Sequence, residues 1–371
     1  MTTLDDAVHA SVVRDPGPDV AASCRRHALT LAPLLAPHDL DALVARVVAR
    51  VDGLGPLEPL LADPDVTEIM INAGTEVWVE RSGRLEHTGL RLALGQADLL
   101  MERILAPLGL RIDRTAPVVD ARLPDGSRVH AVVAPLAVDG TCVCIRRFAK
   151  RAWPLAAFAS EEVASLLRWA IEARCNLVVS GATSSGKTSL LNALAALVAP
   201  SERIITIEDA AELRLPGDHV VRLESRPATA EGLGAVTTRQ LLRAALRMRP
   251  DRLVVGEVRG AEALDMVQAL NTGHDGSLAT CHANSAVDAL RRVESMVLEG
   301  AVALPLAAVR DYVHTSIDLV VHTARATGGQ RRVVEVAEVH PDPDRGVRAL
   351  VEAGRLIAEP RRWRGPAPWP R

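Results

Sequence analysis

The sequence predicts an α/β protein, with a parallel sheet in its larger part and a smaller mixed region before it. Three observations carry that prediction. From about residue 160 onward, short apolar strand-like runs alternate with helical stretches, as in a parallel sheet with crossover helices. One strand–helix junction, after Asn176–Ser180, is a loop bounded by Gly181 and Gly186. Hydrophobic residues make up 48% of the 371, enough for packed cores, while 43 basic and 46 acidic residues nearly cancel to −3. This composition excludes wholesale disorder, a polybasic nucleic-acid binder and an acidic tail.

Each element follows from its local pattern. Residues 1 to about 50 read as helical, because Leu40, Leu43, Val44, Val47 and Val48 recur at helical spacing behind Asp39 and Asp41. Val51-Asp-Gly-Leu-Gly-Pro56 breaks that pattern. Val66–Asn72 and Glu76–Glu80 read as short strands, 97–108 as a helix, and 118–148 as strands with turns at Pro124-Asp-Gly126 and Asp139-Gly140. The larger part opens with a helix at 160–173 and the strand Asn176–Ser180. A helix Ser189–Val198, strands Arg203–Ile207 and Val220–Leu223, a helix at 238–248 and the strand Arg252–Gly256 follow. Helices at 261–271, 286–298 and 304–313 and strands Ile317–His322 and Arg332–Val339 complete the pattern. The expected division is a helical extension at 1–52, a small α/β domain at 53–149 and a linker at 150–158. The parallel-sheet domain then spans 159–340 and a C-terminal tail 341–371, whose last residues, Arg361 to Arg371, are Pro-rich, basic and expected to be solvated.

The acidic start, Met1 to Asp6, lacks a basic region followed by an apolar run, so no secretory signal is expected. No stretch of about 18 uncharged apolar residues predicts a membrane span. The cysteines, Cys24, Cys142, Cys144, Cys175 and Cys281, are odd in number and form no CxxC pair. Cys142 and Cys144, two apart in an apolar run, are expected to share one strand face as a buried reduced pair rather than a zinc site, and the expected compartment is the cytoplasm.

Gly181-Ala182-Thr183-Ser184-Ser185-Gly186-Lys187-Thr188 fits GxxxxGK[ST] at every fixed position, with an apolar strand before it and a helix starting at Ser189 after it. Glycines let successive backbone N–H groups curl around an anion, and the helix terminus adds partial positive charge. Lys187 supplies a cation for the β and γ phosphates, and Thr188 a hydroxyl for Mg²⁺. Only two of the 43 basic residues are lysines, this one and Lys150 in the linker, which reads as an ordinary solvated residue. Hydrolysis also needs an acid near the γ-phosphate. The strand 204–207 runs into Glu208-Asp209, with Glu212 behind, and Leu253-Val-Val-Gly256 runs into Glu257. Ligands of open α/β sheets sit at the carboxyl ends of strands, where these acids fall. Glu257 suits polarising the attacking water or holding a metal-bound one, and Glu208 suits orienting Mg²⁺ or its water shell. His274 and His282 lie eight residues apart in a Gly/Ser/Thr-rich segment expected to be a turn. An imidazole there could sense the γ-phosphate.

In order, GATSSGKTS, IITIEDAAEL, RMRPDRLVVGEVRGAEA and TGHDGSLATCHANS resemble the type II/type IV secretion ATPase superfamily. They match its Walker A loop, Asp box, Glu-type Walker B and His box. Upstream, GLGPLEPL from Gly53, DVTEIMIN from Asp65 and DARLPDGSR from Asp120 resemble it too, so the likeness spans about 53–340. The chain is most similar in pattern to CpaF/TadA-like ATPases of tight-adherence (Flp) pili and related conjugal-transfer clusters. The four-cysteine zinc module of many type II members is absent from the sequence. The resemblance implies a RecA-like P-loop domain hinged under the N-terminal α/β domain, ATP and Mg²⁺, and a homohexamer. It also implies a cytoplasmic location at the inner face of the cell membrane and an inner-membrane platform protein as partner. It further implies that Arg128 and Arg146 of the N-terminal domain, and Arg243, Arg247 and Arg259 of the C-terminal one, complete the site. A γ-phosphate in a partly dry cleft needs several such cations.

The expected activity is therefore ATP hydrolysis driving pilus assembly, secretion or conjugal transfer. A RecA-like nucleic-acid translocase is the main alternative. It would use stacking aromatics, whereas the chain has one Tyr and two Phe, so no nucleic-acid partner is expected. A small-molecule kinase would need an acceptor pocket and lid, and a binding-only switch would show no turnover.

Overall fold

The computed structural model describes residues 3–81, 83–147, 153–226, 228, 233–300, 304–326 and 329–361. Lys150, residues 150–152 of the expected linker and 362–371 of the expected tail lie outside the described residues. The chain divides into two compact units, Met1–Lys150 and Arg151–Arg371.

The first unit begins with α1 (Leu4–Arg14), α2 (Val20–Leu31) and α3 (Pro37–Val51). Thr3 and Asp6 form a capping box on α1, Asp19 caps α2 and Pro37 sits in the first turn of α3. Val8, Val12, Cys24, Ala28, Leu40, Leu43 and Val47 meet in a core of their own. Arg46–Asp5 and Arg50–Asp6 pairs tie α3 to α1 at its rim.

After the short α4 (Glu58–Ala62), six strands form an antiparallel sheet with one covering helix. They are β1 (Val66–Asn72), β2 (Glu76–Arg81), β3 (Arg84–Arg91), β4 (Val118–Arg122), β5 (Arg128–Val132) and β6 (Cys142–Arg146). Their order is β3-β2-β1-β6-β5-β4, with α5 (Gln96–Leu105) inserted between β3 and β4. Ile69, Ile71, Val129, Ala131, Val143 and Ile145 point to the face under Leu100, Met101 and Ile104 of α5. The period-2 alternation made β1 and β2 legible. β3 escapes a sequence reading because it is an edge strand with no buried residue.

The second unit holds α6 (Glu161–Glu172), β7 (Leu177–Gly181), α7 (Lys187–Ala195), β8 (Ile204–Glu208), β9 (Val220–Glu224) and α8 (Thr238–Ala245). β10 (Arg252–Val255), α9 (Glu262–Leu270), β11 (Leu278–His282), α10 (Ala286–Gly300), α11 (Leu306–Ser316) and β12 (Leu319–Arg325) follow. β13 (Arg331–Val339), β14 (Val347–Glu352) and β15 (Arg355–Leu356) end the described chain. The nine-stranded order is β15-β14-β13-β12-β7-β11-β10-β8-β9. The six strands from β12 to β9 run parallel, and β13 to β15 add on antiparallel. Leu177 and Val179 of β7 face the core shared with α6 and α7, and Val178 faces the core shared with α8 to α11. Helices thus cover both faces, as alternating strands and helices predict.

Two features depart from the sequence expectation. The segment expected to be a turn around the histidines contains β11, seated between β7 and β10 in the middle of the sheet. Glycines at 273 and 276 end just before it, and its five-residue run is too short to declare a period. The segment expected as a tail from 341 instead adds β14 and β15 to the sheet, where Leu350 and Val351 are fully buried.

Candidate nucleotide site

The loop Gly181–Thr188 leaves the carboxyl end of β7 at the centre of the sheet. Gly181 has no room for a side chain: a Cβ would strike Ser185 Oγ and Thr323 of β12. Gly186 turns the chain with φ +96°, and a Cβ there would meet the Arg331 side chain at 2.8 Å. Ser185 is buried and its hydroxyl lies 3.0 Å from Thr323 Oγ1, which donates to the Ser180 carbonyl at 3.1 Å. Ala182, Thr183 and Ser184 form the outer bend, and Thr188 and Ser189 stand half-buried in the first turn of α7. Their backbone N–H groups begin a helix, which is where an anion is favoured.

Lys187 is the buried cation of this loop. Its Nζ donates to the carbonyls of Gly181 at 3.0 Å and Ala182 at 2.9 Å, and lies 3.4 Å from His282 Nδ1. His282 ends β11, which pairs with β7 so that His282 faces Gly181. Its Nε2 is 2.8 Å from Glu257 Oε1. Burial, helped by the Lys187 cation and opposed by Glu257, holds the imidazole pKa below its ordinary value. Glu257, one residue past Gly256 at the end of β10, also accepts from Arg259 Nη2 at 2.6 Å. Arg259 Nη1 in turn lies 3.5 Å from Asp209 Oδ2, so one guanidinium spans the acids that follow β10 and β8. Glu257 raises the Arg259 pKa further by hydrogen bond and charge.

Glu208 is buried at the end of β8. Its Oε1 accepts from the N–H groups of Glu212 and Leu213, both at 2.9 Å, while Oε2 has no hydrogen-bond partner among the described residues. Burial pushes its carboxyl up to about 6 against those two N–H groups. A Cβ on Gly256 would come within 2.8 Å of Glu208 Cγ, so this glycine lets the two acidic strand ends close up. No group of three or more His, Cys, Asp or Glu capable of holding a metal occurs among the described residues. Mg²⁺ needs none, because it takes one or two protein oxygens plus phosphate and water. The Thr188 hydroxyl and the orphaned Glu208 oxygen would meet that requirement, with Glu257 as an alternative acid.

The structure therefore brings together Gly181 to Ser189, Lys187, Glu257, His282 and Arg259. It does not bring His274 there. His274 precedes Leu278, the amino end of β11, and its ring nitrogen bonds the Ala269 carbonyl at 3.1 Å. Four residues of strand at about 3.3 Å each separate that end from His282, so eight-residue spacing across a strand puts the histidines at opposite edges of the sheet. Arg247 is also apart from its own chain's loop. It lies past the end of α8, where the Met248 carbonyl meets Arg203 ahead of β8, whereas Arg243 pairs at 2.6 Å with Asp265 in the first turn of α9. Arg128 and Arg146 lie in the first unit, directly opposite one another on β5 and β6. Arg122 of β4 faces Arg128 in the same row, on the sheet face away from α5.

Sequence reasoning missed Arg122, Thr323 and Arg331. The hairpin turn at Pro124-Asp-Gly126 gives the register that aligns Arg122 with Arg128, so that residue had a signal. Thr323 and Arg331 come from strands more than 130 residues beyond the loop and had none.

The matches to known proteins agree with this geometry. The family model described as Type II/IV secretion system protein matches residues 50–346. A putative conjugal transfer protein of Mycobacterium tuberculosis is 40% identical over 300 residues, spanning 78% of this chain and 85% of that protein. The type IV secretion system protein PtlH of Bordetella pertussis is 36% identical over 315 residues, spanning 76% and 93%. The structure of the ATPase DotB of Legionella pneumophila shares the fold, with TM-score 0.55 and 19% identity over 78% of this chain and 80% of that one. Its P-loop, its paired acids and a match covering most of its length place the chain in the type II/IV secretion system family, as an ATPase.

Proposed function

We propose that this ATPase is a hexameric motor that hydrolyses ATP to ADP and phosphate. We further propose that it works at the inner face of the cell membrane on a platform protein of a pilus, secretion or conjugal-transfer apparatus. The observation that carries the reading is the contact chain Lys187–His282–Glu257–Arg259. It links the phosphate cradle to the acid through groups that a γ-phosphate would re-partner. Lys187 leaves the loop carbonyls for the β and γ phosphates, and Thr188 and the loop N–H groups hold the remaining oxygens. Arg259, drawn to the anion, releases Glu257 Oε2, and that carboxylate orients a water in line with the γ-phosphorus. His282 between Lys187 and Glu257 reports the charge at the γ position to the acid. Mg²⁺, held through Thr188 and the acids, would neutralise charge on the phosphates. Within the first unit, Arg122, Arg128 and Arg146 form a row of cations on one sheet face, chemistry that suits phosphate oxygens. The names of the conjugal transfer and PtlH relatives support the placement in a transfer or secretion apparatus. No helix among the described residues is long and apolar enough to cross a membrane.

Phosphate release by the purified chain with Mg-ATP and no added acceptor tests the reading. Turnover is expected, with Glu257→Gln reducing kcat at least 100-fold while nucleotide still binds. Undiminished turnover in Glu257→Gln removes that residue from the mechanism.

A further inference from the structure

The first unit contains a cavity of about 900 Å³ that the nucleotide chemistry does not use. It lies between α5, the loop after that helix and the loops at one end of the antiparallel sheet. Its floor is apolar, including Ala97, Leu105, Leu110, Ile112 and Val133. Its walls carry carboxylates. Asp98 and Glu102 stand one turn apart on α5, and Asp139 faces them from the loop before β6. Asp98 accepts a hydrogen bond from Thr141 at 2.5 Å, whereas Glu102 and Asp139 make no ion pair among the described residues. Arg111 on the rim is engaged with Asp113 at 3.6 Å, and the lining, with carboxylates at 98, 102, 113 and 139 against Arg111 and Arg114, is net negative.

Two leucines set the scale of what fits. Leu94 and Leu99 line the cavity yet stay 93% and 65% exposed, and Leu136 and Val138 of the adjoining loop are 60% and 89% exposed. A small molecule seated on the floor would leave them in water. An occupant that covers them must extend across the mouth. Contiguous apolar side chains around a groove mark a protein contact, and the carboxylates set its charge.

We propose that this groove receives an amphipathic segment bearing Lys or Arg from the cytoplasmic part of a membrane protein. Its apolar side chains would cover Leu94 and Leu99, and its cations would pair with Glu102 and Asp139. Charge complementarity chooses this occupant. Cytoplasmic loops of membrane proteins carry an excess of Lys and Arg, whereas the anionic leaflet itself is repelled by carboxylates. The proposal rests on the motor reading, because it names where such a partner would be gripped.

The test uses the full chain and a fluorescent 18-residue helical peptide of leucine and lysine, with fluorescence anisotropy as the readout. Saturable binding is expected, and a matched leucine–glutamate peptide should bind at least tenfold more weakly. Glu102→Lys with Asp139→Lys should weaken lysine-peptide binding at least tenfold, as should Leu99→Asp. The milder pair Glu102→Gln and Asp139→Asn should weaken it about threefold, guarding against a folding artefact. Equal affinity of wild type and variants overturns the proposal. So does equal binding of the glutamate peptide, loss of anionic-vesicle sedimentation in the variants, or loss of self-association in them. These variants should release phosphate at the wild-type rate. Absent turnover in the wild type would sink the motor reading while leaving peptide binding measurable, so the two failures are separable.

Discussion

Lys187 shows how much one side chain can be asked to do. It is buried, holds two carbonyls of its own loop, and stands 3.4 Å from His282. A compact ammonium fits inside a curled backbone where a planar guanidinium does not. Lys187→Arg conserves charge and should nonetheless lower phosphate release at least 100-fold, with circular dichroism unchanged. Near-normal release would detach Lys187 from the phosphates. This residue was legible because the loop motif fixes both its neighbours and its chemistry. Glu257 was legible for the same reason, as an acid closing an apolar strand. His274 was not, because nearness in sequence says nothing about which end of a strand a residue occupies. Its partner His282 reaches the site through β-pairing with Gly181.

At the scale of elements, the phosphate loop is steadied by a strand remote from it in sequence. Thr323 of β12 pairs in unbroken register with Gly181 of β7, which sets its hydroxyl against Ser185 and the Ser180 carbonyl. Thr323→Val keeps the shape and deletes the hydroxyl, leaving buried polar groups unmatched at a cost of about 1–3 kcal/mol. Steady-state kinetics should show KM for ATP rising several-fold with a smaller change in kcat. An unchanged KM would mean that the loop holds its shape alone. Periodicity and turn residues made most strands and helices legible, β1 at both its ends. β11 and β14 were hidden for different reasons. β11 is brief and preceded by glycines, and β14 follows a Pro/Asp-rich stretch that reads as the start of a tail.

At the scale of the molecule, Arg247 lies toward the edge of the sheet opposite its own phosphate loop. In a ring with head-to-tail contacts, such residues serve the next copy. Lys187→Ala and Arg247→Ala should each be inactive alone. Mixed in equal amounts, they should recover up to about a quarter of wild-type phosphate release, because some interfaces then join an intact loop to an intact arginine. No recovery would place Arg247 outside any shared site. That arrangement was invisible in the sequence, which supplies the arginines in abundance and no means of choosing among them.

The nine-stranded sheet closes on β15, a strand of two residues, Arg355–Leu356. A border that short presents almost no backbone ladder to an approaching chain. At that border, copies that crowd together cannot zip edge to edge into continuous sheet, the route by which concentrated β-proteins become fibrous. A contact made across it must run through side chains, which can let go and re-form with each turn of the nucleotide cycle.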